Sequence, residues 1–298
     1  MSIRAQAIAE FLGADLMGPD LDVMQVGTLD APQPNTLIFA KRYDPAFAER
    51  LNAASPVLAL VLPEYAGQLE ISHILTTNPR REFARVVEQY FSKRYPPGIA
   101  PTAIIAPTAQ IGEQVHIGHY CVIGENVEIG AHTVLLNHVI INDNCVIGPN
   151  CLIKSHTVIG EKGFGYDFED DGTPVAVPHS GRVIIGAEVH IGALVSINQG
   201  TIGDTVIADR AKIDDHVFIA HNAQIGENTL VIAGAEISGR VQVGKNVWIG
   251  PQVCIINGIT VGDDALLGMG AVVNKPVEPN TVNVGNPARV LRPRHNRS

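Results

Sequence analysis

The chain has 298 residues, 46% of them hydrophobic, enough for two domains with a sizeable core. Its formal net charge of −9 excludes the basic face that a nucleic-acid binder needs. No stretch has the length of a transmembrane helix, and residues 1–20 lack the basic start and apolar core of a secretory leader, so a cytoplasmic protein is expected.

In chain order, residues 1–97 read as a small α/β domain. Ala5 to Leu12 predicts a short helix with Ile8, Phe11 and Leu12 on one face. Val57 to Leu62 predicts a buried strand, and Arg80 to Tyr90 an amphipathic helix. Arg81, Arg85 and Lys93 then fall on a solvated helix face. The segment Tyr95-Pro96-Pro97-Gly98 joins this domain to a long repetitive region.

From Ile99 to Val273 an aliphatic residue recurs every six positions, as in Ile117, Ile123, Ile129 and Leu135, and later Ile207, Ile213, Ile219 and Ile225. Such a hexapeptide period predicts a parallel β-helix over 98–274, in which each unit buries its apolar residue only by stacking on its neighbours. Three hexads close one triangular coil, so residues 18 apart lie above one another. With strands roughly 4.8 Å apart, about eight to nine coils stack to a length on the order of 40 Å. The small residue two before each aliphatic, such as Cys121, Thr133 or Cys145, packs beside it. The glycine that often follows the aliphatic is expected to supply the backbone freedom of the corner. Cys121, Cys145, Cys151 and Cys254 form no C-x-x-C pair and read as reduced core thiols.

Three departures from the repeat are where function is expected, the first being the domain of residues 1–97. Residues 161–182 form a long ejected loop carrying Gly163-Phe164-Gly165-Tyr166, then Asp167, Glu169, Asp170 and Asp171. The tail, 275–298, carries Gly285-Asn286-Pro287-Ala288 and then Arg289, Arg292, Arg294 and Arg297. His221 comes two places after the inward Ile219, so its side chain belongs to a corner or the outer surface. Register alone makes it a solvated turn histidine, the default reading for most of the histidines here.

The N-terminal domain, the hexapeptide repeats, the Gly163–Tyr166 loop and the segment Ile213-Asp214-Asp215-His216-Val217-Phe218-Ile219-Ala220-His221-Asn222 together resemble the UDP-3-O-acylglucosamine N-acyltransferases of lipid A synthesis. The resemblance implies a left-handed helix and a homotrimer with sites in the clefts between subunits, loop and histidine coming from different chains. It also implies acyl transfer from a thioester to the amine of a nucleotide-linked amino sugar, UDP or dTDP. His221 would be the general base, matched to that task near neutral pH, with Asp214 orienting it. Gly163, Phe164, Gly165, Tyr166, Asn198 and Asn222 would contact substrate. In that family a segment like Leu37 to Tyr43 clamps uracil between rings, which implies Phe39 and Tyr43 here. Closure of the domain core explains Phe39 equally well.

Departures from the family bear on the donor. The stretch Ile255-Ile256-Asn257-Gly258-Ile259 lacks the family's second histidine, and Asn198-Gln199-Gly200 stands where Asp-Arg-Gly is usual. The sequence stops at Ser298 without the C-terminal helices that resemble a carrier-protein docking site. Val247-Trp248-Ile249-Gly250 onward to Arg289 instead resembles the end of sugar N-acetyltransferases. That implies acyl-coenzyme A as donor, held by Gly285, Asn286, Arg289 and Arg292, with acyl carrier protein as the alternative donor and no tightly bound cofactor. His116, His119, His132, His138, His156 and His190 invite comparison with the gamma-class carbonic anhydrases, but stacked polar ladders or subunit contacts explain them better than zinc, and no metal is expected. A non-catalytic nucleotide-sugar-binding protein, or a purely structural β-helix, remains the alternative of another class.

Overall fold

A computed structural model describes residues 2–30, 33–53 and 56–294. The chain divides into two compact units between Arg94 and Tyr95.

The N-terminal unit is built on a four-stranded parallel sheet in the order Gln25–Val26, Thr36–Phe39, Val57–Val61, Ser72–Leu75. Val57–Val61 is buried along its whole length because both faces of the sheet are covered. Leu58 and Leu60 pack with Ile8 and Val86 of the helices Ala5–Leu12 and Pro79–Val86. Val57, Ala59 and Val61 pack with Phe47, Ala48 and Leu51 of the helix Pro45–Ala53. The side chain of Asn78 caps Pro79–Val86 by accepting from Arg81 N at 3.1 Å. The helix expected over 80–90 thus starts at Pro79 and passes into a wider turn at Val87–Phe91.

In the C-terminal unit nearly every hexad forms a two-residue strand, and the strands stack in three parallel sheets. Val122 and Ile123 pair with Ile140 and Ile141, one coil on. Ile117, Ile123, Leu135, Ile141 and Ile153 fill one continuous core, with Cys121, Cys145 and Cys151 in the small inward slot. All four cysteines are free thiols. Burial pushes the Cys145 thiol up to about 11, so it behaves as a small core side chain and not as a nucleophile.

The corner differs from the expectation in one respect. The glycine after the aliphatic is needed for space and not for backbone freedom: a Cβ on Gly118 would sit 2.7 Å from Asn137 Oδ1 and 2.8 Å from the Leu136 backbone of the next coil. The left-handed conformation falls two residues later, at Tyr120, Asn126, His132, His138, Asn144, Asn150 and His156. Asparagine tolerates that conformation at less cost than most side chains, which accounts for its recurrence there.

Two segments are extruded while the coils above and below remain in register. Val146 pairs with Ile184, so the long loop between Glu161 and Arg182 is bypassed. Val183 pairs with Thr205 and Ile197 with Ile219, so a short loop between Asn198 and Asp204 is bypassed as well. The long loop carries an antiparallel hairpin, Tyr166–Phe168 against Pro174–Ala176, with every residue exposed. At the far end Thr281–Val284 joins one sheet beside Leu266–Leu267. The chain then turns at Gly285 and returns antiparallel as Arg289–Pro293.

Candidate active site

Ile219 points inward and Ala223 fills the small slot, which leaves His221 and Asn222 at the corner between them. Asn222 is left-handed at φ +60°. Its carboxamide is pinned at both ends by the short loop: Oδ1 accepts from Thr201 N at 3.0 Å and Nδ2 donates to Gly203 O at 2.7 Å. With the amide so oriented, Oδ1 is also the group facing His221 Nδ1, at 3.2 Å. Thr201 Oγ1 lies 3.3 Å from the same nitrogen. An acceptor opposite Nδ1 assigns the neutral ring's proton there and leaves Nε2 as the lone pair. That nitrogen faces the next coil, where a Cβ on Gly239 would come within 2.6 Å of it. His221 therefore presents an unprotonated nitrogen beside bare backbone, the arrangement a general base requires.

The long loop of the same chain lies against this imidazole. A Cβ on Gly163 would be 3.3 Å from His221 Cβ and Cδ2, and 2.8 Å from Nε2 of His179. Gly165 also approaches His179. The expectation that loop and histidine come from different chains is thus corrected for Gly163, which is folded back onto the His221 corner of its own chain. Phe164 and Tyr166 stack on each other at 4.8 Å and remain exposed, Phe164 at 86%. His179 is a residue that the sequence pattern does not single out. Its ring meets that of His221 edge-on, with centroids 5.5 Å apart. The available signal is its position near the end of an ejected loop, just before the register resumes.

Several expected residues are placed elsewhere. Asp214 does not reach His221; its carboxylate accepts from Asp215 N at 2.8 Å and Ala233 N at 3.3 Å, joining one coil to the next. Asn198 is buried, and Ser196 Oγ donates to its carboxamide oxygen at 3.4 Å. The amide of Asn222 is occupied by the short loop, which makes it a positioning group in place of a substrate contact. Phe39 packs on Phe83 at 4.8 Å within one core cluster, whereas Tyr43 packs edge-on against Tyr65 and donates to Gln68 Oε1. The two rings thus form no clamp; strand alternation sends Phe39 to the face covered by Ala5–Leu12 and Pro79–Val86. A cleft lined by Leu29, Lys41, Arg42, Phe47 and Arg50 adjoins the turn before Tyr43.

In the tail, Gly285 makes the hairpin turn and Asn286 precedes Pro287 through a cis peptide. Arg289 lines an open cleft with Asn274, Lys275, Ala288 and Val290. Arg292 is exposed, and its guanidinium donates to Pro293 O at 3.0 Å. Arg294 is committed to the carbonyls of Asn246, Asp264 and Ala265. Arg297 lies outside the described residues. Of the other histidines, His138 stacks on Tyr120 at 5.0 Å and on His156 at 4.6 Å, a ladder along one corner column. Among the described residues no group of three or more His, Cys, Asp or Glu side chains is arranged to hold a metal ion.

The bacterial transferase hexapeptide model (six repeats) matches residues 126–161 and 240–275. The UDP-3-O-acylglucosamine N-acyltransferase of Coxiella burnetii is 42% identical over 132 residues, which is 44% of this chain and 39% of that protein. The enzyme of the same name from Methylorubrum extorquens is 35% identical over 134 residues, 45% of this chain and 38% of the relative. The matched stretch thus spans well under half of these curated relatives. Among solved structures, the UDP-N-acetylglucosamine O-acyltransferase of Moraxella catarrhalis is 30% identical with a TM-score of 0.60, covering 64% of this chain and 73% of that one. The Francisella novicida UDP-N-acetylglucosamine acyltransferase gives 29% and 0.60, over 65% and 69%. The coils, the corner geometry and these likenesses define a left-handed parallel β-helix of hexapeptide repeats. The chain belongs to the hexapeptide acyltransferase family of that fold, among proteins like the UDP-3-O-acylglucosamine N-acyltransferases.

Proposed function

We propose that the chain is an N-acyltransferase that moves an acyl group from a thioester to the amine of a nucleotide-linked amino sugar, in glycan synthesis of the lipopolysaccharide or lipid A type. The observation that carries this reading is the His221 corner, with Nδ1–H held by Asn222 and Nε2 bare beside Gly239. The amine nitrogen attacks the thioester carbonyl, and His221 Nε2 takes the proton it sheds. The tetrahedral oxyanion is met by a backbone N–H, and Gly239, whose bare backbone adjoins His221 Nε2, is the proposed donor. Collapse breaks the C–S bond and expels the thiolate, to which the imidazolium returns its proton. The products are an amide and a free thiol. No side-chain nucleophile takes part.

The proposed donor is acyl-coenzyme A, bound at the far end of the coils where Lys275 and Arg289 line one cleft. A second reading, UDP-3-O-acylglucosamine N-acylation from acyl carrier protein, is favoured by the 42% identity to the Coxiella burnetii enzyme. The nucleotide is proposed to bind the cleft of the N-terminal unit in which Lys41, Arg42 and Arg50 stand with Asp30 and Asp44. A homotrimer is proposed as the working form, because the exposed Phe164, Tyr166 and Phe168 of the loop need apolar cover. Cytoplasmic residence accords with four free thiols.

The test offers the purified chain acetyl-coenzyme A, 3-hydroxyacyl-coenzyme A and 3-hydroxyacyl carrier protein, each with a panel of UDP- and dTDP-linked amino sugars. Products are identified by mass. Amide formation with a coenzyme A donor is expected. Activity only with carrier protein selects the second reading, and nucleotide-sugar binding without any product overturns both.

A further inference from the structure

One buried acceptor beside His221 has nothing to accept. His179 is only 9% exposed, and its Nδ1 lies 3.0 Å from Val177 O. A carbonyl oxygen only accepts, so this contact places the neutral ring's proton on Nδ1 and leaves Nε2 a lone pair. That nitrogen is buried and has no hydrogen-bond partner. An unpaired buried polar atom is disfavoured in a native fold and persists where something outside the chain completes it. The only other such side-chain atom among the described residues is His73 Nε2, in the N-terminal unit.

The position of this atom indicates what completes it. Gly163 is pressed against both imidazoles: a Cβ there would stand 2.8 Å from His179 Nε2 and 3.3 Å from His221 Cδ2, closer than it could pack. The Gly163 turn thus covers the imidazoles from the loop side, and no other glycine of the loop is placed against His221 as closely.

We propose that His179 Nε2 accepts a hydrogen bond from an N–H or O–H of the acceptor sugar and so holds the reacting amine at His221 Nε2. The inference rests on the acyl-transfer reading of the same site. A lone pair at that point suits a neutral amine or a neighbouring hydroxyl and rejects a carboxylate or a blocked ether. Entry of the sugar displaces the Gly163 turn. Nδ1 stays with Val177, so Nε2 is the ring atom that meets the sugar.

The test compares the full chain with His179→Phe, which keeps the ring volume but removes the acceptor, and His179→Gln, which can return an amide oxygen. With UDP-3-O-acylglucosamine as acceptor and the best acyl donor, His179→Phe should raise the acceptor KM about tenfold, the worth of one hydrogen bond. The donor KM and the acid limb of the pH–rate profile should not move. His179→Gln should recover most of the loss. A His179→Phe enzyme with wild-type acceptor KM overturns the inference, as does a Gln variant no better than Phe. A wild type that acylates no amino sugar overturns the acyl-transfer reading instead. Calorimetry with the same UDP sugar then decides His179 separately: equal affinity in wild type and His179→Phe overturns it, and a tenfold loss supports it.

Discussion

The coils from Ile117 to Ile159 and the coils from Glu161 to Asn222 are built on one repeat, yet they treat their polar groups differently. In the first set each corner is repeated by the next. Asn137 and Asp143 accept from the backbone of His119 and Glu125, eighteen residues earlier, and Tyr120, His138 and His156 stack in a column. Every coil there completes its neighbour, and the surface is left without a special point. In the second set two loops leave the coil, and their residues return to pack on a corner that belongs to neither. Thr201 and Gly203 fix Asn222, Asn222 fixes His221, and Gly163 and His179 close over it. Both imidazoles present an unprotonated nitrogen. Regular stacking stabilises the chain, and chemistry is available where the stacking is broken.

The sharpest way to test that contrast is to remove one imidazole from each region. His221→Ala should lower turnover by roughly 10²–10⁴-fold, the usual worth of a positioned base. Nucleotide-sugar affinity should change little. His156→Ala, in the ladder of the regular coils, should leave turnover within about twofold. If His221→Ala retains more than a tenth of wild-type turnover, the corner is not the catalytic one.

A core substitution should separate the regions in the opposite sense. Leu135 is fully buried among the regular coils, and Leu135→Ala should cost about 2–5 kcal/mol of stability. Because neighbouring coils are coupled only through their interfaces, the loss should appear as an earlier unfolding midpoint with the KM values of the folded enzyme unchanged. Equal midpoints for wild type and variant would mean that the coil collapses around the gap.

The repeat is legible in the sequence because its cause is local: one aliphatic and one small residue per hexad suffice to place a strand, and from Ile207 onward the aliphatic positions keep one unbroken register. The corner is easily assigned to the wrong residue because close approach and left-handed backbone leave the same glycine-rich trace; the asparagines and histidines two places later are the better signal. Asp214 lies near His221 in sequence, but the corners of a prism point in different directions. Asp214 and His221 therefore fall in separate columns. Phe39 and Tyr43 fail as a pair for a similar reason, one lying in a strand and the other beyond it. His179 and Thr201 are hidden because they reach the site from extruded loops, whose return path has no periodicity to read.

Asn222 tests whether the short loop orients the base. Its amide holds Thr201 N, Gly203 O and His221 Nδ1 together. Asn222→Ala should lower turnover about tenfold, roughly 1.4 kcal/mol, the value of the lost Nδ1–H bond. Asn228→Ala, at an equivalent left-handed corner remote from the loops, should leave turnover unchanged. Equal kinetics for the two variants would show that Thr201 alone suffices to hold the ring.

The smallest expected effect concerns the anchor where the long loop rejoins the coil. Arg182 donates to Asp204 through its backbone N at 3.0 Å and its guanidinium at 3.0 Å. The Arg182 hydrogen bonds hold the Asp204 carboxyl below its ordinary range against some desolvation. A carboxylate depressed in the folded state binds fewer protons there than in the unfolded chain. Its contribution is therefore present above the unfolded pKa, about 3.9, and is lost as pH falls through the lower folded value. The pair is partly exposed, with side-chain exposures of 47% and 26%. Its worth at neutral pH is then about 0.5–1 kcal/mol, less at high salt. Asp204→Asn should lower the unfolding midpoint of the coil unit slightly at pH 7, and the gap between variant and wild type should close towards roughly pH 3. No gap at pH 7 would assign the anchor to the backbone hydrogen bond, which an asparagine oxygen also accepts, and leave the guanidinium without a stabilising role.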